Sequence, residues 1–286
     1  MQWIEGLVGA VNTVLWDYAL LFLLVATGIF FTVRLGFIQL RKFGEGMGRL
    51  FGGFSMKGAR AGKEGMSSFQ ALTTAIAAQV GTGNITGCAT ALYSGGPGAI
   101  FWMWLSAFFG MATIYSEAVL AQRFRTTDAD GHVTGGPLYY IRAAFRGKFG
   151  KFLSGFFAIA IILALGFMGN MVQSNSIGDA FYTAFGIPKL AVGVVVAVIA
   201  AFIFLGGVRR IASFTEKIVP IMAFFYIVGC IVILCINHAT LLSALRSIFV
   251  CAFDPQAVFG GALGLSMREA MRYGVARGLF SNEAGM

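Results

Sequence analysis

The sequence predicts an all-α membrane protein, a bundle of several transmembrane helices. Hydrophobic residues make up 58% of the 286 residues and charged residues only 12%, whereas a soluble domain typically carries about 25% charged residues. The mean hydropathy is +0.80. Apolar runs close to the roughly 20 residues that cross a bilayer recur along the chain. These observations indicate that lipid, rather than water, surrounds most of the surface.

The apolar runs predict six full spans and the start of a seventh, within one transmembrane domain that covers residues 1–286. The predicted spans are 18–38, 67–94, 98–121, 152–178, 189–206, 218–237 and 256–279. Residues 1–17 do not resemble a signal peptide, because they contain Glu5 and Asp17 but no Lys or Arg.

The basic residues predict the orientation of these spans. Of the 21 Lys and Arg residues, seven lie in 34–63, six in 122–151 and three in 207–217. Loops rich in Lys and Arg stay on the cytoplasmic side, so the N-terminus is expected outside the cell. The net charge of +9 therefore reflects topology and requires no nucleic-acid partner. The stretch 44–66 is expected to be a basic loop resting on anionic membrane lipid rather than an amphipathic helix, because its eight glycines disfavour a helix.

A polar segment interrupts the second predicted span. Residues 78–87 read Ala-Gln-Val-Gly-Thr-Gly-Asn-Ile-Thr-Gly, and Gly costs about 1 kcal/mol relative to Ala inside a helix. A helix broken here frees backbone groups that must line a cavity or be buried in protein. Half-helix N-termini then face a carboxylate, and freed carbonyls coordinate sodium. Close packing of small residues is the alternative, but the coincidence of glycines with amide side chains favours a binding site.

A second interruption is predicted in residues 274–285, Gly-Val-Ala-Arg-Gly-Leu-Phe-Ser-Asn-Glu-Ala-Gly. Two broken helices, five helices apart, are typical of transporters built from inverted repeats. The first repeat would cover 67–237, and an incomplete second repeat would cover 256–286. Residues 280–282 would then face the same cavity as residues 82–84. The alternative is that Ser or Asn in this segment simply caps a following helix.

Two further polar positions are candidates for function. Gln173, in span 152–178, is predicted to reach the substrate, with hydrogen bonding between helices as an alternative of almost equal weight. Glu117 is expected to form an ion pair with Arg123 or Arg125 at a helix end rather than to relay protons. The sequence contains no GxSxG, HExxH or Walker motif, and its four cysteines form no CxxC pair. We therefore expect no enzyme, no cofactor and no metal other than sodium.

Residues 95–110, Gly-Gly-Pro-Gly-Ala-Ile-Phe-Trp-Met-Trp-Leu-Ser-Ala-Phe-Phe-Gly, are similar to the signature of the sodium:alanine symporter family. The segments Val-Gly-Thr-Gly-Asn-Ile-Thr-Gly at 80–87 and Arg-Gly-Leu-Phe-Ser-Asn-Glu-Ala-Gly at 277–285 resemble two other segments of that family. The resemblance implies the fold of the bacterial leucine transporter, a five-plus-five inverted repeat, with one extra N-terminal helix at 18–38.

The resemblance also implies roles for individual residues. Gln79 and Val80 would offer backbone carbonyls to sodium, and Asn84 would contact sodium or the substrate carboxylate. Thr82 and Gly83 would offer backbone amides to that carboxylate. The pocket would be closed by Gln173, Phe280, Ser281 and Asn282.

The expected function is sodium-coupled symport of a small neutral amino acid, alanine or glycine, by alternating access across the bacterial inner membrane. The alternative is a channel-like or structural membrane subunit without active transport. The chain stops at Gly285-Met286, before the second repeat is complete. We therefore expect a fragment or a truncated product that lacks the partner half of the repeat.

Overall fold

The computed structural model describes residues 2–52, 67–127, 133–254 and 267–282. These residues form fourteen α-helices, two π-helical turns and one short hairpin. The helices are α1 (Gln2–Val14), α2 (Leu21–Arg34), α3 (Ile38–Arg41), α4 (Phe43–Gly52), α5 (Ser68–Gln79), α6 (Thr82–Gly95), α7 (Gly98–Arg123), α8 (Pro137–Ala144), α9 (Lys148–Ile161), α10 (Asn170–Phe185), α11 (Lys189–Phe204), α12 (Gly207–Ile236), α13 (His238–Phe253) and α14 (Met267–Asn282). The π-helical turns, Leu15–Leu20 and Ile162–Gly169, join α1 to α2 and α9 to α10. Strands β1 (Thr126–Thr127) and β2 (Val133–Thr134) pair antiparallel.

Three of the described helical stretches are long and apolar enough to cross a membrane. They are α7, the continuous stretch Lys148–Phe185 and α12. Helices α2, α11 and α13 are apolar but shorter. The prediction of an all-α membrane protein is confirmed, and the leucine-transporter fold with its five-plus-five repeat stays a prediction.

The predicted break in span 67–94 is confirmed. Helix α5 ends at Gln79, Val80 is not helical, and α6 begins at Thr82. Gly81, between them, has an extended backbone with φ −132° and ψ −171°. The hydroxyl of Thr86 donates to the Thr82 carbonyl at 2.8 Å. This polar side chain of α6 is therefore hydrogen-bonded within its own helix.

The interruption predicted in residues 274–285 is absent from the described part of that segment, 274–282. Helix α14 runs through this stretch without a break, and its glycines serve close packing instead. A Cβ atom on Gly274 would lie 2.7 Å from the Cβ of Trp102 in α7. Residues 255–266 and 283–286, which include the start of the seventh predicted span and the end of this segment, lie outside the described residues.

Several predicted links are helical. Residues 207–217 belong to α12, residues 238–253 form α13, and α10 continues to Phe185. Polar or basic residues at these places extend helices past their apolar middle. The turns between these helices are short: Gly186–Pro188, Leu205–Gly206 and Asn237. Likewise, residues 44–52 lie in α4 and do not form the expected loop, while 53–66 lie outside the described residues.

The chain divides into two compact units. The first comprises residues 1–54, 79–117 and 223–286. Within it, the indole N–H of Trp102 in α7 donates to the Ala252 carbonyl of α13 at 3.0 Å. Gly95 permits α14 to approach α6, since a Cβ there would lie 3.2 Å from the Cβ of Tyr273. The Trp102 indole thus joins α7 to α13, and Gly95 lets α14 pack closely against α6.

The second unit comprises residues 55–78 and 118–222. The Ser154 hydroxyl of α9 donates to the Leu138 carbonyl of α8 at 3.3 Å. Lys189, at the start of α11, forms an ion pair with Asp179 of α10. Each of these polar contacts joins two helices that are consecutive in the chain.

Candidate functional site

Asn84 lies in the first turn of α6 and bridges the break. Its side-chain Nδ2 donates to the carbonyl oxygen of Gln79, the last residue of α5, at a distance of 2.9 Å. Its backbone N–H donates to the Gly81 carbonyl at 3.1 Å. One amide side chain therefore fixes the end of α5 relative to the start of α6.

Ser281 of α14 meets the same side chain. Its hydroxyl donates to Oδ1 of Asn84, across 197 positions of sequence. Both residues are half-buried and both belong to the first unit. The structure thus joins the two segments for which a shared cavity was predicted, through one residue from each.

The break gives this site two kinds of backbone group. The first N–H groups of a helix and its last C=O groups lack intrahelical partners. The helix dipole makes the N-terminal end positive and the C-terminal end negative. Thr82 and Gly83 occupy the first two positions of α6, while Gln79 ends α5. Val80 is 43% exposed, and its predicted carbonyl contact with sodium stays a prediction.

The oxygens gathered here suit a hard cation. They are neutral carbonyl, amide and hydroxyl oxygens, contributed by Gln79, Asn84 and Ser281. Freed carbonyls at a broken membrane helix are the usual ligands of Na⁺ in transporters. The residues present therefore fit sodium at the C-terminal end of α5 and a carboxylate at the N-terminal end of α6.

The remaining predicted residues have different positions. Phe280 and Asn282 are the neighbours of Ser281 in α14. Gln173 lies on an exposed face of α10 in the second unit, and its predicted contact with substrate stays a prediction. Two polar neighbours of Gln173 bond within their own helical stretch, since Asn170 donates to the Gly166 carbonyl and Asn175 donates to Asp179.

An apolar cavity of about 300 Å³ lies elsewhere in the first unit, between α2, α7 and α14. The residues that line it are Leu21, Phe22, Val25, Ala26, Ile29, Trp102, Leu105, Ser106, Phe109, Met271 and Val275. The hydroxyl of Ser106 donates to the Met103 carbonyl of its own helix at 2.9 Å. The lining therefore suits hydrocarbon, and a charged amino acid would lose its hydration there without replacement.

A polar contact between Gln70 of α5 and Glu216 of α12 was not predicted from the sequence. A signal for one partner was present in the sequence: Ser67-Ser68-Phe69-Gln70 has the S-x-x-Q pattern of a capping box. Nothing in the sequence points to Glu216 as its partner, because 146 positions separate the two residues.

Comparison with known proteins decides the family. The model of the sodium:alanine symporter family matches residues 1–286. The chain belongs to this family. It is 46% identical to the sodium/alanine symporter AgcS of Methanococcus maripaludis, over 98% of this chain and 61% of that protein. It is 45% identical to an uncharacterised transporter of Haemophilus influenzae, over 99% of this chain and 60% of that protein.

A third member of the family has a different named substrate. GlnT of Bacillus subtilis, whose name designates a sodium/glutamine symporter, is 41% identical over 100% of this chain and 57% of that protein. The chain thus spans about three-fifths of the length of these curated relatives. Family membership confirms the resemblance seen at residues 95–110.

Proposed function

We propose that this chain contributes the sodium and substrate site of a symporter that carries a small neutral amino acid, alanine or glycine. Transport would occur by alternating access across the bacterial plasma membrane, with sodium as the coupling ion and the N-terminus outside. The observation that carries the proposal is the hydrogen bond from Ser281 to Asn84, at the break between α5 and α6. This bond places the neutral oxygens of Ser281 and Asn84 at the N-terminal end of α6, which is the positive end of that helix.

The two bound species use different ends of the break. Sodium is held by the carbonyls of Gln79 and Val80 and by the amide oxygen of Asn84. The substrate carboxylate faces the backbone amides of Thr82 and Gly83, where the helix dipole is positive. Because the two species are adjacent and opposite in charge, each strengthens the binding of the other.

The rest of the pocket is assigned to residues of α10 and α14. Gln173, Phe280, Ser281 and Asn282 close it around the amino-acid side chain. A methylene group changes binding to an apolar wall by only about 1–3 kcal/mol, so alanine and glycine are expected to compete. The name of GlnT makes glutamine the substrate to test beside them.

Uptake by the full gene product in proteoliposomes tests this function. Radiolabelled alanine is offered with and without an inward sodium gradient, and the product inside is identified chemically. We expect saturable, sodium-driven uptake of unchanged alanine. Flux that is non-saturable and independent of the gradient would instead indicate the channel-like alternative, and a chemically altered product would indicate an enzyme.

A matched pair of amides tests the site. Asn84 donates to the Gln79 carbonyl at 2.9 Å, and Asn237, at the end of α12, donates to the Ile233 carbonyl at 2.9 Å. Asn84→Ala is expected to abolish sodium-driven uptake, and Asn237→Ala to retain it. Equal uptake by the two variants would contradict the assignment of the site to the break.

A further inference from the structure

Helices α2 and α7, both in the first unit, pack closely and run in the same direction. A Cβ atom on Gly28 of α2 would lie 3.0 Å from the Cβ of Phe109 in α7. The apolar cavity beside this contact is lined by residues within 21–29 of α2 and 102–109 of α7. Because both sets come from the N-terminal side of the contact, the residue numbers of the two helices rise together.

Two buried threonines lie one helical turn beyond this contact. Thr32 follows Gly28 by four residues and Thr113 follows Phe109 by four, and residues four apart share a helix face. Thr32 is fully buried and Thr113 is 8% exposed. The interface between α2 and α7 therefore changes from apolar, along the cavity, to polar at the level of these hydroxyls.

A tight corner after α2 brings Gln39 back to the same level. Gly36 and Phe37 both have left-handed backbone conformations, with φ of 62° and 52°. The N–H of Phe37 donates to the Thr32 carbonyl at 2.8 Å. Helix α3 starts immediately after this corner, and Nε2 of Gln39 donates to Oγ1 of Thr32 at 3.0 Å.

The amide of Gln39 also reaches α7. Its Nε2 donates to the Phe108 carbonyl at 3.4 Å as well as to Thr32. The reversed amide would set Oε1 against that carbonyl, acceptor against acceptor, so the nitrogen belongs on this side. Oε1 is therefore left for another donor, and this buried oxygen has no hydrogen-bond partner in the described part of the chain.

The hydroxyl of Thr113 is a second buried oxygen that has no hydrogen-bond partner among the described residues. In the same helix, the Ser116 hydroxyl donates to the carbonyl four residues earlier at 2.8 Å. The corresponding carbonyl for Thr113 belongs to Phe109, where α2 approaches closely: a Cβ on Gly28 would lie 3.1 Å from that oxygen. The backbone of α2 thus takes the space beside the carbonyl that this hydroxyl would otherwise use.

Buried polar atoms are nearly always hydrogen-bonded, because leaving them unpaired forfeits their hydration. A single water molecule supplies what this junction requires, a donor for Oε1 of Gln39 and an acceptor for the Thr113 hydroxyl. A cation fits less well. Nε2 of Gln39 already takes the oxygens of Thr32 and Phe108, so only two neutral oxygens would remain to replace the hydration of the ion.

We propose that a water molecule binds at the junction of α2, α3 and α7, donating to Oε1 of Gln39 and accepting from the hydroxyl of Thr113. The water joins the corner between α2 and α3 to the middle of α7. Its partners include none of the residues assigned to sodium or to the substrate. The inference therefore goes beyond the proposed function and does not depend on it.

A crystal structure of the full gene product tests this site directly. We expect an ordered peak at about 2.7–3.0 Å from both oxygens, the usual length of an O–H···O hydrogen bond. The same crystals grown with thallium(I) in place of sodium should show no anomalous peak there. An anomalous peak would identify a cation instead, and Gln39 bonded directly to Thr113 with no peak between them would also overturn the proposal.

A set of three variants tests the site in solution. Thr113→Val removes one partner of the water at nearly constant volume, and Thr113→Ser keeps it. The control is Thr86→Val, since the exposed Thr86 hydroxyl donates within its own helix, α6.

The thermal unfolding midpoint of Thr113→Val in detergent should fall by about 2–4 °C, the shift expected for one lost hydrogen bond. Thr113→Ser and Thr86→Val should stay within about 1 °C of the parent. A midpoint of Thr113→Val equal to that of the control would contradict the proposal. If Thr113→Val does not fold, the crystal structure of the parent decides alone.

Discussion

Gly278 of α14 lies directly against Met103 of α7. A Cβ atom placed on Gly278 would come within 3.1 Å of the Met103 Cα and would collide with the Ser106 hydroxyl. Gly274, one turn earlier, meets the same helix. Glycines four residues apart let membrane helices approach closely enough for backbone contact. These two glycines therefore let α14, which carries Ser281, pack against α7.

Gly278→Ala is therefore expected to lower stability. Inserting a methyl group into a packed contact costs about 1–3 kcal/mol, so the thermal unfolding midpoint in detergent should fall by several degrees. The matched control is Gly229→Ala in α12, where an added Cβ would meet nothing within 4 Å. A Gly278→Ala midpoint equal to that of the control would show that the two helices do not pack this way.

Ser281→Ala tests the link between α14 and Asn84. The change removes the donor to Oδ1 of Asn84, and a hydrogen bond contributes about 0.5–1.5 kcal/mol. The sodium concentration for half-maximal alanine binding should rise by roughly two- to tenfold. The control is Ser247→Ala, since Ser247 donates only within α13, to the Ser243 carbonyl at 3.0 Å. Identical sodium dependence in both variants would remove Ser281 from the site.

Two glycine-rich segments show what sequence could and could not predict. Around Gly81, glycines and amides mark a real break, whereas Gly274 and Gly278 belong to an unbroken helix. Gly81, Gly274 and Gly278 all lie in segments that the sequence predicts to be membrane spans. The difference depends on whether a neighbouring backbone approaches, as α7 does at Gly278, and the local pattern does not contain that information.

The contacts that complete the site are similarly tertiary. The amide of Asn84 was predicted to be functional from its position in a broken span, but its bond to Ser281 depends on how α14 is aligned with α6. The pair Gln70 and Glu216 was not predicted, because a capping pattern reports only the start of its own helix. The local pattern of polar residues predicted the break between α5 and α6, whereas the hydrogen-bond partners of Asn84 and Gln70 depend on how the helices pack.

A disulfide across α5 and α12 should preserve binding. The hydroxyls of Thr74 and Thr215 lie 3.2 Å apart, so the ends of cysteine side chains at both positions are close enough to be tested for a disulfide. In a background without the four native cysteines, oxidised Thr74→Cys/Thr215→Cys should keep the parent's sodium half-saturation within about twofold, since the bridge holds α5 where the polar contacts do.

The reduced form of the same protein is the control for the disulfide. Quantitative cross-linking is checked by mass spectrometry before binding is measured. If the oxidised protein loses sodium-dependent alanine binding and the reduced protein keeps it, the binding-competent position of α5 differs from the one described here.

Thiol labelling tests the predicted orientation of the chain in the membrane. Cys235, near the end of α12, is exposed, and it adjoins a link poor in basic residues, which is expected outside the cell. Lys151, in α9, is also exposed, and it ends the basic segment 122–151, which is expected inside.

With the other native cysteines removed, a membrane-impermeant maleimide should label Cys235 in intact cells. Lys151→Cys, on a background that also lacks Cys235, should react only after permeabilisation. The reverse pattern would place the N-terminus inside, because the number of spans between these two positions and the N-terminus fixes their sides together.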